Sequence, residues 1–247
     1  MENLTDLAAA VRDADDVVAF TGAGVSTASG IPDFRSESGV WNQFDPADFH
    51  YDRFRADPAD FWTERVDLHE TMFGDEVAPN AAHDALDDLA AAGHLDAVVT
   101  QNTDGLHVGT SATLVELHGN ADRVVCESCG DRTDAAPVHE RVRTGEEVPP
   151  RCADCGGLLK PAVVLFGEQL PGTDLSLARS WARRADVFVA AGSSLTVEPA
   201  ASLPRIAADS GATTAVVNLD STPFDGRADV HFRDDVTDVL PALVDAV

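Results

Sequence analysis

The sequence predicts an α/β fold, a parallel sheet with helices packed on both faces, interrupted by a small cysteine-rich insert. Three observations carry that prediction. Short apolar runs, each the length of a doubly buried strand, recur along the chain and empty into polar turns followed by helix-like stretches. Two glycines two apart, Gly22 and Gly24, directly follow the first of those runs. Two Cys-x-x-Cys pairs, separated by 22 residues, hold all four cysteines.

Taken in order, Leu4 to Arg12 puts Leu4, Leu7, Ala8 and Val11 on one face of a helix. Val17 to Phe20 forms a strand that runs into Gly22-Ala23-Gly24. Glycines there let the backbone turn sharply and approach a ligand with no Cβ in the way. The helix expected next would aim its free N–H groups at a phosphate. The dinucleotide fingerprint is incomplete, because Thr27 stands where its third glycine would be. A strand-to-helix turn without a ligand accounts for the glycine pair as well. Gly30-Ile31-Pro32-Asp33-Phe34-Arg35 favours the ligand, since a guanidinium is the forked donor that a pyrophosphate prefers.

Residues 37–57, rich in Asp, Phe and His, lack a clear period and read as a loop with short helical turns. Ala59 to Met72 reads as a helix carrying Phe61, Trp62, Val66 and Leu68. Another follows Pro79-Asn80, runs from Ala81 to Ala92 and is closed by Gly93. Leu95 to Thr100 is a second buried strand. It opens into Gln101-Asn102-Thr103-Asp104-Gly105-Leu106-His107, at the strand end where such sheets hold ligands. The alternative is a polar loop with Asp104 as a helix N-cap. Leu114 to Leu117 is a third strand, followed by His118-Gly119-Asn120. An imidazole with an unperturbed pKa of about 6.5 suits a general base. A structural hydrogen-bond partner is the competing role for a single histidine.

Cys126-Glu127-Ser128-Cys129 and Cys152-Ala153-Asp154-Cys155 have the spacing of a four-thiolate zinc site. A closed shell of four thiolates leaves the metal no open position, so its role would be structural. Disulfides are the alternative, disfavoured in an intracellular chain. Pro161 to Glu168 returns to apolar core, and a helix ends at Ser180 to Arg184. The strand Asp186 to Ala191 opens into Gly192-Ser193-Ser194, whose N–H groups and hydroxyls suit phosphate. Pro199 fits the first turn of the next helix. Thr213 to Asn218 is the last strand, with Leu219 and Asp220 behind it, and a helix runs from about Val236 to Val244.

Net charge is −26 at pH 7, 31 of the 43 acids are Asp, and Lys160 is the only lysine. That balance excludes a polyanion-binding surface and with it direct nucleic-acid binding, which needs clustered Lys and Arg. An apolar fraction of 44% is too high for a disordered acidic chain. An Asp-rich, Lys-poor shell over a normal core reads as halophilic adaptation. No apolar run is long enough for a membrane span, and the N-terminus lacks a basic region ahead of an apolar one. The expectation is a soluble cytoplasmic protein with no membrane partner.

Together GAGVSTASGIPDFR at 22–35, QNTDGLH at 101–107, HG at 118–119, the cysteine pairs, VVLFGE at 163–168, GSSLTVEPA at 192–200 and NLD at 218–220 resemble the sirtuin (Sir2-type) family of NAD-dependent protein deacylases. The resemblance covers nearly the whole chain. It implies a Rossmann-like NAD-binding domain of residues 1–36, 76–119 and 160–247. It also implies a cofactor loop and helical module at 37–75 and a four-cysteine zinc-binding insert at 120–159. NAD would be the cosubstrate, one structural zinc ion would sit on Cys126, Cys129, Cys152 and Cys155, and acetylated-lysine proteins would be the substrates. Cofactor positions fall on Gly22, Ala23, Gly24, Thr27, Asp33, Phe34, Arg35, Gly192, Ser193, Ser194, Asn218 and Leu219, with a backbone contact near Val236. Gln101, Asn102 and Asp104 match the ribose and nicotinamide pocket, with Thr103 where the family often has isoleucine. His118 matches the general base, and Asn102 is the second catalytic position. Val164, Phe166, Gly167 and Val197 fall where an extended peptide is clamped between two strands.

The implied chemistry assigns each of these a task. Asp104 accepts from the nicotinamide carboxamide, and Phe34 covers the departing ring. The acyl-lysine amide oxygen attacks the ribose carbon, and His118, through the ribose hydroxyls, promotes transfer of the acyl group. Products are nicotinamide, free lysine and O-acyl-ADP-ribose. Family members that prefer succinyl or malonyl groups carry a Tyr-x-x-Arg pair where this chain has Arg65 and Leu68, so acetyl or short neutral acyls are expected. A mono-ADP-ribosyltransferase would use the same NAD site. Hydride transfer is disfavoured by Thr27 in the fingerprint.

Overall fold

A computed structural model describes residues 2–33, 39–74 and 77–247. Helix α1 (Glu2–Asp13) leads into strand β1 (Val17–Thr21), followed by α2 (Tyr51–Ala56), α3 (Pro58–Met72) and α4 (Ala81–Ala91). Strands β2 (Ala97–Thr100), β3 (Thr113–Glu116), β4 (Gly119–Cys126) and β5 (Arg132–Asp134) precede α5 (Ala136–Arg143) and β6 (Leu159–Val163). The chain continues through α6 (Gly172–Arg184), β7 (Val187–Ala191), α7 (Leu203–Asp209), β8 (Thr213–Val217), β9 (Val230–Phe232) and α8 (Val236–Ala246).

Six strands form one parallel sheet in the order β3-β2-β1-β7-β8-β9. All five residues of β1 and all five of β7 are buried, as strands covered on both faces must be. The period of two divides them. Val17 and Ala19 join Leu7, Leu86 and Leu240 from α1, α4 and α8 on one face. Val18 and Phe20 join Ala178 of α6, Leu203 of α7 and Phe188 on the other. Large side chains such as Phe20 and Phe188 contribute about 1.5–3 kcal/mol each by leaving water. From central β1 the chain builds outward through β2 and β3, then resumes on the opposite side at β7. The strand order therefore reverses between β1 and β7, and a crevice opens beyond their carboxyl ends.

Two local expectations are overturned. No α-helix follows Gly24: the chain makes two single 3-10 turns, Ala23–Val25 and Thr27–Ser29. Gly30, at φ +85°, ends the second turn, and Pro32 holds Ile31 away from helical backbone. The helix expected at Pro199 begins only at Leu203, after a 3-10 turn at Ala200–Ser202, with Pro204 in its own first turn. Within residues 37–57 the described part holds 3-10 turns at Val40–Asn42 and Pro46–Phe49 as well as α2.

The second sheet, β5-β4-β6, is antiparallel. Strands β4 and β6 share a third core with α2, α3 and α5, in which Phe54, Phe61 and Trp62 meet Val124, Val138 and Leu159. The indole Nε1 of Trp62 donates to the Leu159 carbonyl at 2.9 Å, tying α3 to β6. The helical and cysteine-bearing segments are thus one packed body. No helix among the described residues is long and apolar enough to cross a membrane.

Candidate active site

Three glycines join the ends of β1 and β7. Gly22 N donates to the Ala191 carbonyl at 3.1 Å, and Gly24 N to the Gly192 carbonyl at 2.8 Å. A Cβ on Gly22 would stand 2.8 Å from Gly192 O, one on Gly24 2.9 Å from Gly192 Cα, and one on Gly192 2.4 Å from Val25 N. These residues are glycine because two loops interlock with no room for a methyl, beside whatever they offer a ligand.

The end of β2 adds the polar cluster. Gln101 Nε2 donates to Ser193 Oγ at 2.9 Å, bridging the loops after β2 and β7. Asn102, 7% exposed, donates from Nδ2 to Gly22 O and to Ser26 Oγ, each at 3.1 Å. Ser26 Oγ in turn donates to Asp104 Oδ2 at 2.7 Å, while Asp104 Oδ1 accepts from Leu106 N at 3.0 Å. A narrow cavity here is lined by Ala23, Ser26, Ile31, Pro32, Met72, Phe73, Asn102, Thr103 and Asp104. Residues far apart in sequence therefore line one pocket.

His118 stands at the junction of β3 and β4. Its Nδ1 lies 2.8 Å from the Gln101 carbonyl. A carbonyl only accepts, so Nδ1 carries the proton and Nε2 keeps a free lone pair. Burial lowers its pKa, partly opposed by that same hydrogen bond. The imidazole is neutral at pH 7, the form a base requires. Gly119 follows at φ +81°, where a Cβ would lie 2.1 Å from Ala162 O. That close pairing of β4 with β6 also lets Val164 N donate to the His118 carbonyl at 2.8 Å.

The loop after β6 carries the expected substrate residues Val164, Phe166 and Gly167. Phe166 is 46% exposed, and its backbone bridges to the 49–51 segment, with Tyr51 N donating to Phe166 O at 2.9 Å. A Cβ on Gly167 would meet the His50 ring at 2.3 Å. Glu168 anchors the loop. Its Oε2 accepts from Lys160 Nζ at 2.9 Å and from Leu165 N at 2.8 Å, and Lys160 also donates to Val163 O at 2.7 Å. The chain's one lysine is buried in this brace. Val197, exposed, lies on the separate loop after β7.

Other expected positions are placed as follows. Thr27 is exposed, its hydroxyl turned back to Gly24 O at 3.1 Å. The Asp33 carbonyl accepts from Val40 N at 2.9 Å. Phe34 and Arg35 lie outside the described residues. Ser194 Oγ is 2.9 Å from Thr196 Oγ1. Asn218 Nδ2 donates to Asp220 O at 2.9 Å at the end of β8, beside exposed Leu219. The Val236 side chain is buried in the core at the start of α8, so only its backbone could meet a ligand. Ser26, Ile31, Pro32, Met72 and Phe73 were missed as lining residues. Ser26 lies inside the glycine-rich stretch and could have been found there, whereas nothing in the sequence marks the end of α3.

The four cysteine sulfurs all lie within 4.8 Å of one another. Cys126 and Cys155 are 3.5 Å apart, and Cys129 and Cys152 3.9 Å. Disulfides need about 2.05 Å. Tetrahedral zinc at about 2.3 Å from each sulfur fits these separations. Ser128 N and Gly157 N each donate to a cysteine sulfur at 3.4 Å, as the turn of a metal knuckle requires.

The chain is similar along nearly its whole length to known proteins. The Sir2 family model matches residues 22–199. An NAD-dependent protein deacetylase of Haloarcula marismortui is 54% identical over 247 residues, 99% of this chain and 94% of that protein. NAD-dependent protein deacetylase 1 of Pyrobaculum aerophilum is 42% identical over 99% of this chain and 94% of its own. Among solved structures, a Sir2 variant with a deacetylated p53 peptide and 3′-O-acetyl ADP-ribose superposes with a TM-score of 0.87 at 33% identity, covering 98% of this chain and 97% of that one. A Sir2–p53 peptide–NAD+ complex gives 0.84 at 34% identity, covering 97% and 96%.

Proposed function

This chain belongs to the Sir2 family, and from that premise we propose how its own residues carry out NAD-dependent protein-lysine deacetylation. The overall activity is that of an NAD-dependent protein deacetylase. NAD supplies the glycosidic carbon that accepts the acyl oxygen and, after nicotinamide leaves, the ribose that carries the acyl group away.

In our reading the crevice between β1 and β7 holds the dinucleotide. Gly22, Ala23, Gly24, Thr27, Gly192, Ser193 and Ser194 meet its phosphates and adenosine half, and Asp33, Phe34 and Arg35 are assigned to the same cofactor. Asn218, Leu219 and the Val236 backbone close the far side. Gln101, Asn102, Thr103 and Asp104 orient the nicotinamide and its ribose. Asn102 is held by Gly22 O and Ser26 Oγ, and that fixed amide suits positioning of the leaving group. His118 accepts a ribose hydroxyl proton at Nε2 while the acyl group moves. Val164, Phe166, Gly167 and Val197 pair with an extended peptide, and the Lys160–Glu168 brace keeps one arm of that clamp in place.

The observation that supports this best is the Nδ1 contact of His118 with Gln101 O. It sets the imidazole in its basic tautomer, attached to the cofactor-side loop, while its own carbonyl is bonded to the first residue of the peptide-side loop. Four thiolates match structural zinc without an open coordination position, so no step is assigned to it. Residues 1–36, 76–119 and 160–247 then form the cofactor body, 37–75 the loop and helical module, and 120–159 the zinc insert. Four unbridged cysteines and a charge of −26 support a cytoplasmic enzyme that does not bind nucleic acid directly. Leu68 supplies no cation to an acidic acyl group, which favours acetyl.

Incubation with NAD and acetylated or succinylated peptide, followed by mass spectrometry, tests the reading. The expected products are O-acetyl-ADP-ribose and unmodified lysine, with higher kcat/KM on acetyl. ADP-ribose attached to the peptide would instead indicate a mono-ADP-ribosyltransferase.

A further inference from the structure

The middle of α3 buries a cation that has no counter-charge among the described residues. Arg65 is 7% exposed. Its Nε has neither solvent nor a hydrogen-bond partner, and among the described residues no carboxylate forms an ion pair with it. Burial pulls its pKa down to about 10, which still leaves it charged wherever the protein is folded near neutrality. An uncompensated buried charge is among the most destabilising features a core can hold.

The side chains packed around it are aromatic and imidazole rings. His69 lies one turn along the same helix, and His139 reaches in from α5 with its ring centroid 4.3 Å from that of His69. Trp62 also packs against His139, at 6.0 Å between ring centroids. His69 Nε2 is likewise buried without a partner. Both histidines are held neutral. Burial first and Arg65 second bring His69 to about 4, and burial, His69 and Arg65 bring His139 to about 3. Of the carboxylates on these two helices, Glu70 and Glu140 are engaged by Arg143 and Asp60 by Arg53, and among the described residues neither Glu64 nor Asp67 forms an ion pair with Arg65. The rest of the seam is apolar, with Phe61, Val66, Val138 and Val142 in the same core.

We propose that Arg65, with His69 and His139 beside it, binds a resident inorganic anion of the halide class at the seam between α3 and α5. A monatomic anion takes N–H donors from any direction and needs no partner of its own. With His69 in its Nε2–H tautomer, the anion would satisfy both Arg65 Nε and His69 Nε2 without bringing a carboxylate into the core.

Bromide tests this directly. Crystals of the full chain soaked in potassium bromide should give an anomalous peak within hydrogen-bond distance of Arg65 Nε, and Arg65→Met crystals should lack it. In thermal melts at fixed potassium, exchanging chloride for glutamate should lower the wild-type Tm by about 3 °C or more, a change that corresponds to about 1 kcal/mol for a chain of this size. Arg65→Met, which replaces the buried charge with an apolar side chain of similar length, should be insensitive to the exchange. No bromide peak in the wild type, or equal anion dependence in the two proteins, overturns the site. An Arg65-dependent preference for succinyl-lysine peptide would also overturn it, because the substrate would then carry the negative charge.

Discussion

The hydrogen bond between His118 Nδ1 and the Gln101 carbonyl decides which ring nitrogen can accept a proton. Because burial lowers the His118 pKa, kcat/KM should be flat above neutrality and fall on an acid limb whose midpoint lies below about 6.5, the unperturbed value. A limb centred above pH 7 would remove His118 as the titrating base. The brace behind the peptide loop makes a different prediction. Glu168→Gln weakens the contact with Lys160 Nζ, and a weakened buried polar pair costs roughly 1–3 kcal/mol. The peptide KM should rise several-fold while the NAD KM stays put; an equal rise in both would mean that Glu168 merely supports the fold. At this scale the sequence was legible where chemistry is unusual. A histidine before a glycine and an Asn-Thr-Asp run stood out, whereas Met72 and Phe73 did not. Apolar residues at a helix end look the same whether they line a pocket or fill a core.

Among the elements, α3, α5, β4 and β6 share one core, and the four cysteines hold β4 to the turn before β6. Structural zinc contributes folding free energy directly. Cys129→Ser should therefore lose bound zinc and raise amide exchange in β4 and β6, with β1 and β7 still protected. Activity should fall as well, because α3 ends in the Met72 and Phe73 that line the cavity. Full retention of zinc and activity would show that Cys129 is not a zinc ligand. The parallel strands were legible because burial on both faces leaves an unbroken apolar run. The shorter pieces were not: β5 is fully exposed and β9 partly so, leaving no apolar signal. The absent helix after Gly24 has a different cause. The glycine pattern serves the packing of β1 against β7, and Gly30 with Pro32 stops helical propagation at once. One available signal went unread, since Asp45-Pro46 and Asp57-Pro58 are N-cap and first-turn pairs, and both start helical turns here.

For the whole molecule, charge dominates. With −26 on 247 residues, self-repulsion opposes compaction and salt screens it. We propose a halophilic protein whose Tm rises with potassium chloride up to molar concentrations; melts independent of salt would refute this. Acid should also unfold it through buried imidazoles. Burial, and secondarily His83, bring His107 down to about 3, and His83 is itself lowered by burial. The unfolded chain binds those protons near pH 6.5 and the native one does not, so stability is full above that pH and declines from there towards 3. Constant stability from pH 7 to 5 would show that these rings are not held neutral. Sequence spacing alone could not establish that loops from 22, 101, 118 and 192 meet, because a parallel sheet brings distant strand ends together only once its order is fixed. That convergence upon one NAD, with His118 as the base, is the central claim. Its most direct test is single-turnover mass spectrometry with NAD and acetyl-lysine peptide. The wild type should yield equal amounts of nicotinamide and O-acetyl-ADP-ribose. His118→Ala should still bind NAD but form the acetylated product about 10²–10⁴ times more slowly. Formation of O-acetyl-ADP-ribose by His118→Ala at the wild-type rate would contradict the account.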